Sequence, residues 1–180
     1  MTDRWLLDNG FPKPVINNLA ELDALTEYVH FADVFPAEAR TSTPDWMVYL
    51  LAENAGFTGV VTGDRSQLDD EDSMVVLSSI GLSVVTWRRG IDDSLALWGQ
   101  LVAYMPQVRS ILNRSGPGIV VLPAPVLSSR ALQKASGLGR ARQRYDQISW
   151  PERRSRSLTA VRQELRRRGR ADLGHLLPSR

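Results

Sequence analysis

The chain contains no cysteine, two histidines (His30 and His175) and two lysines (Lys13 and Lys134) among its 180 residues. Without cysteine there can be no disulfide, thiol nucleophile or thiolate-bound metal, and two histidines are too few for a histidine-rich zinc site unless carboxylates join them. Any bound metal is therefore expected to be a hard ion held by oxygen. No apolar run approaches the ~18 residues of a membrane span, and the opening Met1-Thr2-Asp3-Arg4 lacks the basic-then-apolar pattern of a secretory signal. These absences predict a cytosolic protein with no membrane partner.

With lysine so scarce, positive charge is nearly all arginine, and it is unevenly placed. Residues 1–114 hold 16 acidic and 8 basic side chains, net −8, whereas residues 115–180 hold 4 and 14, net +10, inside an overall charge of +2. Such a division predicts an acidic body and a basic arm aimed at nucleic acid, at an acidic partner, or back at the body. A hydrophobic content of 43% suffices for one full core. The domain is expected over residues 1–125, with a basic, arginine-rich extension over 126–180.

Short apolar runs alternating with helical patterns predict a mostly parallel sheet covered on both faces. Strands are expected at Trp5–Leu7, Tyr28–Phe31, Phe57–Thr62, Leu82–Trp87 and Ile119–Leu122. Pro12 and Pro14 suit the first turn of a helix carrying Val15, Ile16, Leu19, Leu22 and Leu25. Thr43-Pro44-Asp45 reads as cap, first helical residue and acid at the positive end of a helix running to Asn54, which Gly56 closes. A helix or turn is expected around Asp72–Ser79. Ile91, Leu95, Trp98, Val102 and Met105 share a helical face, which Pro106 kinks or ends. Beyond Pro123-Ala124-Pro125, an Arg/Ser/Gly-rich linker leads to an amphipathic basic helix over Ser157–Arg168, its stripe formed by Leu158, Val161 and Leu165.

Three acids occupy related places: Asp8 follows the first strand, Asp64 follows the third, and Asp45 opens a helix. In a parallel sheet ligands gather beyond the carboxyl ends of the strands, so these carboxylates can share one pocket. Each also has a local use, Asp8 in the Asn9-Gly10 turn, Asp45 at the helix dipole and Asp64 in a side-chain turn. Thr62 reads first as a strand-end residue and second as a hydroxyl able to bond a carboxylate. Arg65 is placed to meet a phosphate or an acid. His30, Trp46, Trp87 and Trp98 read as core, and Trp46, beside Asp45, is the one placed to stack a base.

The runs Leu6-Leu7-Asp8-Asn9-Gly10-Phe11-Pro12, Pro44-Asp45-Trp46-Met47 and Val61-Thr62-Gly63-Asp64-Arg65-Ser66-Gln67-Leu68 resemble those of the PIN-like nuclease superfamily, in particular the compact toxins of VapBC type. The resemblance covers about residues 4–122 and implies a three-layer α/β/α sandwich that cleaves RNA phosphodiesters with Mg²⁺ or Mn²⁺. Asp8, Asp45 and Asp64 become its catalytic and metal-binding carboxylates. A fourth acid comes from Asp69, Asp70, Glu71 and Asp72, with Asp69 and Asp72 placed among the ligands. The partners implied are an RNA substrate, a cognate antitoxin and a second copy of the chain. Arg65, Arg153, Arg154, Arg162, Arg166 and Arg167 are the candidate RNA contacts. The rival expectation is a PIN-like module that binds RNA or protein without cutting, and the extension has no clear counterpart in the compact family.

Overall fold

The computed structural model of the chain describes residues 2–11, 21–88, 94–123, 133–135 and 150–178. Its strands are β1 (Asp3–Leu7), β2 (Thr26–His30), β3 (Gly59–Val61), β4 (Ser83–Trp87), β5 (Ile119–Leu122) and β6 (Gln133–Ala135). Its helices are α1 (Phe31–Val34), α2 (Asp45–Asn54), α3 (Glu71–Leu77), α4 (Ser94–Ser115) and α5 (Trp150–Arg167). The sheet order is β2-β1-β3-β4-β5-β6; the first five strands are parallel and β6 runs antiparallel to β5.

Successive strand residues point to opposite faces, and here both faces are buried, as an interior parallel sheet requires. Leu6, Val60, Val84 and Ile119 belong to one core with Met47, Leu50 and Leu51 of α2, Met74 and Val75 of α3, and Leu158, Val161 and Leu165 of α5. Trp5, Leu7, Val61, Val85 and Val120 belong to the other, with Leu97, Trp98, Leu101, Met105 and Val108 of α4. Helices therefore cover both faces, an α/β arrangement compatible with a three-layer sandwich. Gly59 is required by close packing, because a Cβ there would lie 2.5 Å from the Trp5 ring and 2.6 Å from the Ser83 carbonyl.

Several expectations change. α2 starts at Asp45, with Pro44 as its cap, while the Thr43 hydroxyl donates to the Glu38 carbonyl at 2.7 Å instead of capping the helix. Its end is as expected: Gly56 takes φ of +74°, and the Gly56 and Phe57 N–H groups return to the carbonyls of Glu53 and Ala52. α4 runs unbroken through Pro106, and its buried face is offset, leaving Leu95 76% exposed. The antiparallel edge strand β6 was not anticipated. Of the helix expected from Pro12 to Leu25, residues 12–20 fall outside the described residues, while Leu22 and Leu25, read as part of its apolar face, are exposed and Leu25 lies in a turn leading into β2. Ile91, the linker and the 125/126 boundary also fall outside the described residues.

The basic extension contributes more than a tail. α5 begins seven residues earlier than its periodicity suggested and packs on α3, and the following 3-10 turn, Ala171–Leu176, packs on α2. Leu173 and Leu177 join Leu158, Val161 and Leu165 in the same core as α2 and α3. Deleting residues 151–180 would therefore uncover that core. Truncation cannot isolate the function of the arm.

Candidate functional site

The chain steps from β1 to β2 on one side and later returns to place β3 on the other, so the strand order reverses between β1 and β3. A crevice outside the carboxyl ends of the strands is expected at such a switch point. Asp8 and Asp64 follow those two strands. The Asp8 N–H extends the ladder by donating to the Val61 carbonyl at 3.0 Å.

Thr62 couples these two acids. Fully buried, its hydroxyl donates to Asp8 Oδ2 at 2.9 Å and accepts the Asp64 N–H at 3.1 Å. It is thus a carboxylate partner and not merely the end of a strand. Gln67 Nε2 also donates to Asp8 Oδ2, at 3.2 Å, and the Asn9 N–H donates to Oδ1 at 2.6 Å. Asp64 caps the 3-10 turn Arg65–Leu68, its Oδ1 accepting from the Ser66 N–H at 2.8 Å and the Ser66 hydroxyl at 2.6 Å. Its local turn role is therefore real, and it leaves Oδ2 clear of those bonds.

Asp45 opens α2 with its side chain half-buried. Burial, then the charges of Asp8, Asp64 and Asp70, push its carboxyl up from 3.8 to about 6. None of the groups that set this value is a cation. The charges of three other carboxylates, those of Asp8, Asp64 and Asp70, thus act on that of Asp45.

The fourth member is Asp70, which caps α3 by accepting the Ser73 N–H at 2.9 Å. Asp69, like Asp70, is exposed. Asp72 faces the Ser157 hydroxyl of α5, and burial raises its carboxyl despite that bond. Asp70 follows the turn that ends at Leu68 and caps the next helix, which directs its carboxylate differently from those of its neighbours.

Among the described residues, no group of three or more His, Asp or Glu side chains is arranged to hold a metal ion. The donor chemistry nevertheless suits a hard divalent cation, since it is all carboxylate oxygen and its mutual repulsion is relieved by positive charge. His30 is a core residue, 3% exposed: Nδ1 accepts the Ala32 N–H and Nε2 faces the Phe11 carbonyl at 3.0 Å. Trp46 is 6% exposed within the α2 core, so it offers no platform for a base.

Most candidate RNA contacts have partners inside the fold. Arg65 donates to the Arg88 carbonyl at 2.6 Å. Arg153 is buried and lies 3.6 Å from Glu71, Arg162 donates to the Pro178 carbonyl, and Arg167 pairs with Glu164. Arg153 is thereby a clamp between α5 and α3, not a surface contact. Arg154 is partly exposed and Arg166 exposed.

Sequence reasoning missed Gln67 and its partner Tyr49, whose hydroxyl donates to Gln67 Oε1 at 2.9 Å. The available signal was a glutamine between a capping acid and a buried leucine, in a turn close to the strand end. No protein-family model, curated protein or solved structure matches this chain.

Proposed function

We propose that the protein is a metal-dependent endoribonuclease of PIN-like type. The observation that carries this reading is the placement of Asp8 and Asp64 after the adjacent strands β1 and β3 at the switch point, both tied to the buried Thr62 hydroxyl. The upward push on the Asp45 carboxyl by burial and by Asp8, Asp64 and Asp70 agrees with it. Concentrated negative charge at a sheet switch point favours a divalent cation over an empty site. Asp8, Asp45 and Asp64 would hold Mg²⁺ or Mn²⁺, with Asp70 as the fourth acid. When bound, the ion supplies an activated water and neutralises charge building on the phosphate. Thr62 and Gln67 orient Asp8, and Ser66 orients Asp64. The wider role, as the toxin of a toxin-antitoxin pair, rests on the resemblance of the motifs.

The test is cleavage of end-labelled single-stranded RNA by purified protein. Fragments should form with Mn²⁺ or Mg²⁺, vanish with excess chelator, and fall by roughly 100-fold or more in Asp64→Asn. Cleavage that survives chelator would overturn the reading. A second reading is a PIN-like module that binds RNA without cutting it. Its signature is RNA retention with no cleavage at any metal concentration. Contact by the arm is tested by Arg154→Ala/Arg166→Ala, which should flatten the salt slope of RNA binding by about 1.4 for two lost phosphate contacts.

A further inference from the structure

Behind Asp8 lies a buried relay that joins α2 to the 3-10 turn after β3. Tyr49 is fully buried and Gln67 is 5% exposed. The direction of the relay follows from its geometry: Gln67 turns Nε2 toward Asp8 Oδ2 and Oε1 away from it, and the Tyr49 hydroxyl donates to Oε1. Burial, then the charges of Asp45, Asp8, Asp70 and Asp64, raise the Tyr49 phenol well above its ordinary value, so it keeps that proton.

A carboxylate offers about four lone-pair positions. Asp8 Oδ2 receives both Thr62 and Gln67, which occupies that oxygen, and Oδ1 receives the Asn9 N–H. Among the described residues, one position stays open, on Oδ1. We propose that Gln67, held by Tyr49, is a positioning residue that locks Asp8 as a one-point ligand, leaving a single lone pair on Oδ1 for a divalent cation. This rests on the reading of Asp8 as a metal-binding carboxylate. Thr62 alone would leave Oδ2 with a free position, and Asp8 could then bind an ion through either oxygen.

Two measurements separate the relay from the metal reading. In the metal-free protein, NMR should show two resolved, slowly exchanging Gln67 side-chain amide protons that move in Tyr49→Phe. Rapidly exchanging amide protons indifferent to Tyr49→Phe would overturn the relay and leave the metal reading standing. Next, Mn²⁺ is titrated calorimetrically into wild type, Tyr49→Phe, Gln67→Met and the double variant. Gln67→Met should weaken Mn²⁺ binding about 10-fold, Tyr49→Phe about 3-fold, and the double variant no more than Gln67→Met. The double variant removes both ends of the buried bond, so it keeps its fold if Gln67→Met alone does not. A purely packing role would shift melting temperatures and leave these affinities unchanged. Affinity of the folded variants within twofold of wild type would overturn the proposal. A wild-type protein with protected Gln67 amide protons but no saturable Mn²⁺ binding would overturn the metal reading, and the proposed role of Gln67 with it.

Discussion

Asp23 and Asp45 sit at opposite ends of the same parallel sheet and meet opposite fates. Asp23, 9% exposed just before β2, accepts from Arg109 at 2.7 Å, from Thr26 at 2.7 Å and from the Leu25 N–H at 3.2 Å. Burial opposes its charge, but hydrogen bonds from Arg109 and Thr26 and the charge of Arg109 outweigh it and hold the carboxyl below its ordinary value. Asp45 experiences burial too, and its charged neighbours are acids that add to the cost. The difference teaches where a ligand is called for. The charge of Asp23 is completed within the chain and serves as structure, tying α4 to β2, whereas the groups that set Asp45 include no cation, and under the proposed reading a divalent ion would supply one.

The comparison breaks most directly at Arg109. Arg109→Met strands the Asp23 carboxylate in a buried setting and should cost about 3–5 kcal/mol at pH 7 in a urea melt. A loss under about 1 kcal/mol would show that Asp23 does not depend on its partner. At the other end, Mn²⁺ at a hundred times its dissociation constant should raise the unfolding free energy of the wild type by about 2.7 kcal/mol, and Asp45→Asn should reduce that gain. An equal gain in both proteins would remove Asp45 from the site.

The smallest effect sharpens the contrast by its sign. Without metal, Asp45→Asn should stabilise the protein by about 1–2 kcal/mol at pH 7.5, a shift of roughly two units discounted for partial solvent screening. Well below pH 3.8 Asp45 is protonated in folded and unfolded chains alike, so the substitution should approach neutrality at the acid end of the range. As pH rises from 3.8 to about 6, the unfolded chain ionises while the folded one resists, and the wild type loses stability that does not return at higher pH. Asp23 runs the other way: its contribution is present above pH 3.8 and is lost as pH falls through its lowered value. Urea melts of both proteins across pH 3–8 check this.

Much of the sheet was legible because its strands are apolar runs, and an acid after such a run is conspicuous at Asp8 and Asp64. Gly56 announced the end of α2 for an equally local reason, its positive φ. β6 left no trace, because Gln133-Lys134-Ala135 has neither alternation nor apolar content and depends on an edge offered by β5. Leu95 matched the helical period yet faces outward, since tertiary packing and not periodicity selects which face of α4 is covered. Asp70 was one of four adjacent acids, and its cap on α3 and its charge acting on Asp45 set it apart only once the chain is folded. Gln67 was hidden for a different reason: an amide gains meaning only from the phenol and carboxylate on either side of it, and Tyr49 and Asp8 lie far away in sequence.

The seating of Leu173 and Leu177 against the core of α2 and α3 has a consequence for biosynthesis. Translation delivers residues 45–77 to solvent about a hundred codons before those two leucines, and during that interval α2 and α3 lack the cover that Leu173 and Leu177 provide. A nascent chain at that stage is prone to association, so a ribosome stalled or terminated within α5 would release a sticky product, not a smaller working domain. Completion of the arm is then a checkpoint on the whole molecule, enforced by packing alone.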